Sequence, residues 1–140
     1  MQKGLVAAIL LAIVVIGLGA YTRLTDAGLG CPDWPGCYGR LAVPQQAEHI
    51  EHAAKAFPER PLVPHKAWNE MIHRYFAGSL GLLVVGLAVV AFRRKQQRLL
   101  AAAAVLLIVF QATLGMLTVT LNLMPLVVMG HLLGGFAMLA

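Results

Sequence analysis

Two histidines, His73 in Glu70-Met-Ile-His73-Arg74 and His131 in Gly130-His131, stand inside otherwise apolar runs. An ionisable side chain within hydrocarbon is costly, so such residues are by default candidates for a functional site. One buried imidazole on its own reads as a hydrogen-bonded packing group. Two at one level could ligate a metal from opposite sides. Glu70 lies three residues before His73 and projects from nearly the same helix face. A Glu-x-x-His pair also occurs in di-iron bundles, but those need two such pairs and two further glutamates. This chain has one such pair, which makes the di-iron reading weak. The other reactive pair is Cys31 and Cys37, the only two cysteines, in Cys-Pro-Asp-Trp-Pro-Gly-Cys.

The elements that must hold these residues follow from composition. The chain is 59% hydrophobic and only 12% charged, whereas a soluble domain carries about 25% charged residues. A bilayer is therefore its natural solvent. Crossing the hydrocarbon takes roughly 20 apolar residues. Gly4 to Tyr21, Trp68 to Phe92 and Leu99 to Leu121 meet that length, and Leu126 to Ala140 opens a fourth run that stops short. The expected fold is all-α, an integral membrane four-helix bundle with the fourth helix truncated. Its segments are a first span over 1–22, an outer segment over 23–66 and a second span over 67–92. A loop over 93–98, a third span over 99–121, a turn over 122–125 and the fourth helix over 126–140 follow. A cleaved signal peptide is the alternative for the first run, since Gly19-Ala20 offers small residues at a cut site. The net charge of +5 forms no basic stripe interleaved with aromatics, so no nucleic-acid partner is expected.

Orientation comes from the short loops. Arg93, Arg94, Lys95 and Arg98 crowd one break, while Asn122 to Pro125 carries no basic residue. The positive-inside rule puts the first in the cytoplasm and the second outside. The amino terminus is then inside, and the segment with both cysteines is outside. Under this topology the second and fourth spans run in the same direction. His73 lies about six residues into its span and His131 about five into its own, so both sit roughly 8 to 9 Å below the outer end. Matched imidazoles on parallel helices are what a bis-histidine heme requires. Arg74, and Arg23 at the end of the first span, could pair with heme carboxylates, or serve as interfacial anchors.

On the outer side a disulfide between Cys31 and Cys37 is permitted. A structural and a redox role both remain open, and two sulfurs alone do not complete a zinc shell. Residues 45–57 read as a short amphipathic surface helix. His49 and His52 on it have metal-compatible spacing, but with Glu48 and Glu51 they read better as a solvated face. Pro58, Pro61 and Pro64 imply extended chain leading to the second span. In the third span, Gln111-Ala-Thr113-Leu-Gly115-Met-Leu-Thr118 carries small and hydroxyl residues that favour close helix packing.

The ordered set Thr22-Arg-Leu-Thr-Asp-Ala-Gly-Leu-Gly-Cys31-Pro-Asp-Trp-Pro-Gly-Cys37, Glu70-x-x-His73-Arg74, Gln111-x-x-Leu-Gly115-x-x-Thr118-Val119 and His131 resembles the heme A synthase family. Members usually have eight spans in two similar four-helix halves, and the resemblance covers the amino-terminal half, ending within the fourth helix. It implies an inner-membrane, multi-pass enzyme that oxidises a methyl group of heme O to the formyl group of heme A for terminal oxidases. His73 and His131 would then be axial ligands in the half that handles the substrate heme, and Glu70 a catalytic carboxylate. Cys31 and Cys37 would be the outer cysteine pair. Heme b would belong to the other half, and its absence here puts autonomous catalysis by these residues in doubt. Implied partners are heme O, heme O synthase, an electron donor, membrane lipid and a second copy of the chain. Two other readings stay open: a bis-histidine electron carrier, and a non-catalytic oxidase assembly factor working through its cysteines.

Overall fold

The structure, a computed structural model, describes residues 2–139. Met1 and Ala140, expected at the ends of the first and last spans, lie outside the described residues. The order is α1 (Gln2–Leu24), α2 (Ala47–Ala56), α3 (Pro64–Arg93), α4 (Arg98–Thr120) and α5 (Pro125–Ala137). Helices α1, α3 and α4, of 23, 30 and 23 residues, are long and apolar enough to cross a membrane. Helix α5 is apolar but has 13 residues, about 20 Å of rise. The all-α membrane bundle expected from composition is therefore what forms. Large apolar side chains such as Leu82, Leu99 and Leu106 point outward, as lipid rather than water demands.

Helix α3 starts earlier than the apolar run suggested. Pro64, expected to prolong extended chain, is its first residue, with Val63 in an extended conformation before it. A proline fits that position because its fixed φ suits a helix and its missing N–H would have no partner there. Proline likewise opens α5. Between α3 and α4 the chain reverses through Lys95 and Gln97, both at positive φ.

The bundle is a closed ring in which α1 packs on α3, α3 on α4, α4 on α5, and α5 back on α1. The diagonal pairs do not touch: α3 makes no direct contact with α5. Low in the ring, Ala12, Leu80 and Val84 form a small apolar core with Val15, Ile108 and Met138 against it. A second core lies in the segment between α1 and α3. Cys31, Cys37, Tyr38, Val43 and Ala53 pack there on Ala67 and Met71 of α3. Tyr38 meets Phe57 edge to face at a centroid distance of 5.5 Å. This loop core is seated on the end of α3 that carries Glu70, His73 and Arg74.

Candidate functional site

Cys31 and Cys37 form a disulfide with an S–S distance of 2.00 Å, and both are fully buried. Local chemistry shapes the ring. Asp33 accepts the N–H groups of Tyr38 and Gly39 at 2.6 and 2.8 Å, while Cys37 and Arg40 exchange backbone hydrogen bonds. Gly30 lets the loop lie directly on α3: a Cβ there would stand 2.5 Å from the Lys66 carbonyl group.

Glu70 and Arg74 clamp this loop. Glu70 Oε2 accepts the Cys31 N–H at 2.8 Å, and its Oε1 pairs with the Arg74 guanidinium one turn on. Arg74 donates in turn to the carbonyls of Asp33, Pro35 and Gly36. Both partners are nearly enclosed, at 11% and 6% side-chain exposure. A buried pair of this kind repays its desolvation only when further hydrogen bonds complete it, and here the loop backbone supplies them. Of the Arg74 nitrogens, Nη1 serves the loop carbonyls and Nη2 serves Glu70. Arg23, the other candidate, is exposed.

Nearby, Asp26 bonds Lys66 at 2.7 Å. The Lys66 hydrogen bond and charge hold the Asp26 carboxyl below its ordinary range. Asn69 donates to Thr25 at 3.3 Å, joining α1 to α3 at the same end. His49 and His52 border a surface hollow with Tyr38, Gly39, Arg40 and Glu48. Among the described residues, no group of three or more His, Cys, Asp or Glu could hold a metal ion.

His73 and His131 sit on the two helices that do not touch. Each ring leans instead on a glycine of a neighbouring helix. A Cβ on Gly19 of α1 would stand 3.0 Å from His73 Cε1, and one on Gly115 of α4 would stand 3.4 Å from His131 Cε1. Gly19 is five residues before the end of α1 and Gly115 five before the end of α4, so the two seats correspond in their helices. The Nδ1 atoms of both histidines are buried without a hydrogen-bond partner. Two imidazoles without protein partners, on helices separated by the bundle interior, form a donor set that fits a heme iron.

Sequence reasoning passed over the seats of these rings, since Gly19 was read as part of a cut site and Gly115 as a packing residue. It also passed over Gln111 as a site residue. Gln111 is buried at 6% exposure, its Nε2 unpartnered against Gly134, where a Cβ would stand 1.8 Å away. The one available signal was a repeated Gly-x-x-Thr, at Gly19 to Thr22 and at Gly115 to Thr118.

Together these features define a multi-pass membrane helical bundle with two part-buried histidines and a disulfide-closed loop. The chain belongs to the cytochrome oxidase assembly protein family, whose model matches residues 3–140. It is 53% identical over 129 residues to heme A synthase of Shewanella oneidensis, covering 91% of this chain and 39% of that protein. It is also 36% identical over 91 residues to protoheme IX farnesyltransferase of Haloarcula marismortui, covering 64% of this chain and 16% of that protein. The chain thus spans well under half the length of either relative. No solved structure matches it.

Proposed function

We propose that this chain works in heme A synthesis, oxidising a methyl group of heme O to the formyl group of heme A, as the part that binds the substrate heme. The observation that carries the reading is the pair of partnerless imidazoles, His73 and His131, on non-contacting helices. The 53% identity to a protein named heme A synthase supplies the reaction. His73 and His131 would hold the heme iron, and the bound iron would supply the redox chemistry. The change from methyl to formyl removes four electrons and adds one oxygen atom, so an electron acceptor and an oxygen source take part.

The remaining groups position and enclose. The loop closed by Cys31 and Cys37 lies over the Glu70 end of α3, where it keeps water from the reacting edge. Glu70 is proposed as the catalytic carboxylate from its place one turn from His73 and from the family resemblance. Its contacts give it a second task, holding the loop through the Cys31 N–H. Arg74 enters through its hold on that loop and on Glu70. The proposed setting is the inner membrane, with the amino terminus in the cytoplasm, the cysteine loop outside, and heme b in the other four-helix half of the family's eight spans. The proposed partners are a farnesyl-adding enzyme that supplies heme O, an electron donor, and a second copy of the chain.

The test is pigment extraction after expression with heme O supplied, with His73→Ala and His131→Ala beside the wild type. Wild-type protein should yield heme O and its oxidised products, and both variants should lose them. A single bound heme that never gains a formyl group would point to an electron carrier. No bound heme at all would leave an assembly factor.

A further inference from the structure

We infer that the backbone carbonyls of Val15 and Gln111 orient the two imidazoles, each by accepting the Nδ1–H of one ring, and that Gly19 and Gly115 exist at their positions to expose those carbonyls. This rests on the heme-binding reading and assigns the residues that set the ligands' tautomer and orientation.

In an α-helix the carbonyl of residue i points toward residue i+4, whose Cβ shields it on one side. Residue 19 is four after 15, and residue 115 is four after 111; both are glycine. Each ring stands over the glycine four residues beyond one of these carbonyls: His73 over Gly19, after Val15, and His131 over Gly115, after Gln111. Neither Nδ1 has another hydrogen-bond partner, so each is free to donate to such a carbonyl. In both cases Cε1 is the ring atom closest to the notional Cβ, with both His73 nitrogens at 3.5 Å from the one on Gly19 and His131 Nε2 at 3.7 Å from the one on Gly115. With Nδ1 enclosed, Nε2 is the nitrogen free to take a metal. A metal-bound histidine ordinarily donates its other N–H to a carbonyl or carboxylate, which fixes the tautomer and makes the imidazole a stronger donor. Here the glycine seat that would permit such a bond occurs twice, on α1 toward α3 and on α4 toward α5, at matching distances from the helix ends.

Packing alone is a poorer account of the glycines. Gly78 and Gly86 of α3 have no heavy atom within 4 Å of a notional Cβ, whereas Gly19 and Gly115 each face a ring. Alanine at 19 would press on His73 at 3.0 Å, and alanine at 115 would make ordinary contact at 3.4 Å. Both methyls would cover the carbonyl behind them.

The experiment compares wild type, Gly19→Ala, Gly115→Ala and the control Gly78→Ala in the heme-loaded, detergent-solubilised protein. Each is read by visible spectrum, low-spin electron paramagnetic resonance and midpoint potential. Losing the Nδ1 hydrogen bond weakens the imidazole as a donor and destabilises ferric iron. Gly115→Ala should therefore keep its heme, shift the low-spin g values and raise the potential, while Gly78→Ala matches wild type. Gly19→Ala should show the same shifts, larger because of its tighter contact, with partial loss of heme. If Gly115→Ala holds heme with unmoved g values and potential, the inference is overturned. It is equally overturned if Gly19→Ala alone is affected, because obstruction of one ring would then suffice. A wild-type protein that binds no low-spin heme would instead overturn the heme reading on which the inference rests.

Discussion

Glu70 reaches across 39 residues of sequence to accept the backbone N–H of Cys31 at 2.8 Å. A carboxylate inside a membrane helix is thereby tied to the disulfide-closed loop outside it. The bond makes the position of the loop and the ionisation of Glu70 interdependent. Arg74 binds both and completes the clamp.

Replacing Glu70 by Gln separates its two tasks. The amide can still accept from Cys31 but cannot pair with Arg74, and breaking a buried pair costs about 3–5 kcal/mol. Heme content should remain near wild type, because both imidazoles are untouched, while heme A formation falls by roughly 10²-fold, the usual contribution of a positioned acid or base. Hydrogen exchange across residues 31–43 should rise at the same time. Normal turnover per bound heme, with only faster exchange, would make Glu70 an anchor alone.

Double replacement of Cys31 and Cys37 by Ser should loosen the loop without unfolding the bundle. The ring closes over a separation of only six residues, for which loop-closure entropy gives about 2 kcal/mol. Faster exchange is expected over residues 31–43, with α4 and α5 unchanged. Exchange that rises throughout α3 would show that the disulfide supports more of the molecule than its loop.

The Asp26–Lys66 pair sets a pH dependence at the outer end of α3. Its partner holds the Asp26 carboxyl below the ordinary value of 3.8. The contribution is therefore present above that value and lost as pH falls through the lower folded one. Exchange at the first turn of α3 should be flat from pH 5 to 8 and rise below about pH 4, an effect missing in Asp26→Asn. The carboxylate is 84% exposed, so added salt should weaken the dependence.

Much of the fold was legible in the sequence because hydrocarbon length and charge clustering impose it directly. Gly4 to Tyr21 and Leu99 to Leu121 could hardly be anything but long apolar helices. The start of α3 was harder, since Pro64 serves equally as a residue of extended chain and as a first helical residue. Among site residues, the histidines stood out by the cost of placing them in lipid. Their seats did not, because Gly19 and Gly115 have no side chain to attract notice. The loop contacts of Arg74 were hidden for a different reason. A guanidinium suits a propionate and a row of loop carbonyls equally well, and only the docked loop decides between them.

Gly134→Ala should force the end of the Gln111 side chain to move, since the new Cβ would overlap its Nε2 and Cδ. Overpacking of this kind costs about 1–3 kcal/mol. Thermal stability in detergent should fall in the single variant and recover when Gln111→Ala is added. A single variant as stable as wild type would mean the amide simply swings aside.

Topology can be read from single introduced thiols, because among the described residues no cysteine is free. Leu41→Cys, at a position 80% exposed, should react with an impermeant maleimide on intact cells. Gln96→Cys, in the exposed break between α3 and α4, should react only after the membrane is opened. The reverse pattern would invert the proposed orientation.

The central claim is that one heme is held between His73 and His131. The most direct measurement is low-spin electron paramagnetic resonance of the purified, heme-loaded chain, with His73→Ala and His131→Ala taken separately and with imidazole added back. Wild type should give a bis-imidazole signal at one heme per chain. Each variant should turn high-spin or lose heme, and added imidazole should restore the low-spin signal. A low-spin signal that survives either substitution without imidazole would contradict the assignment.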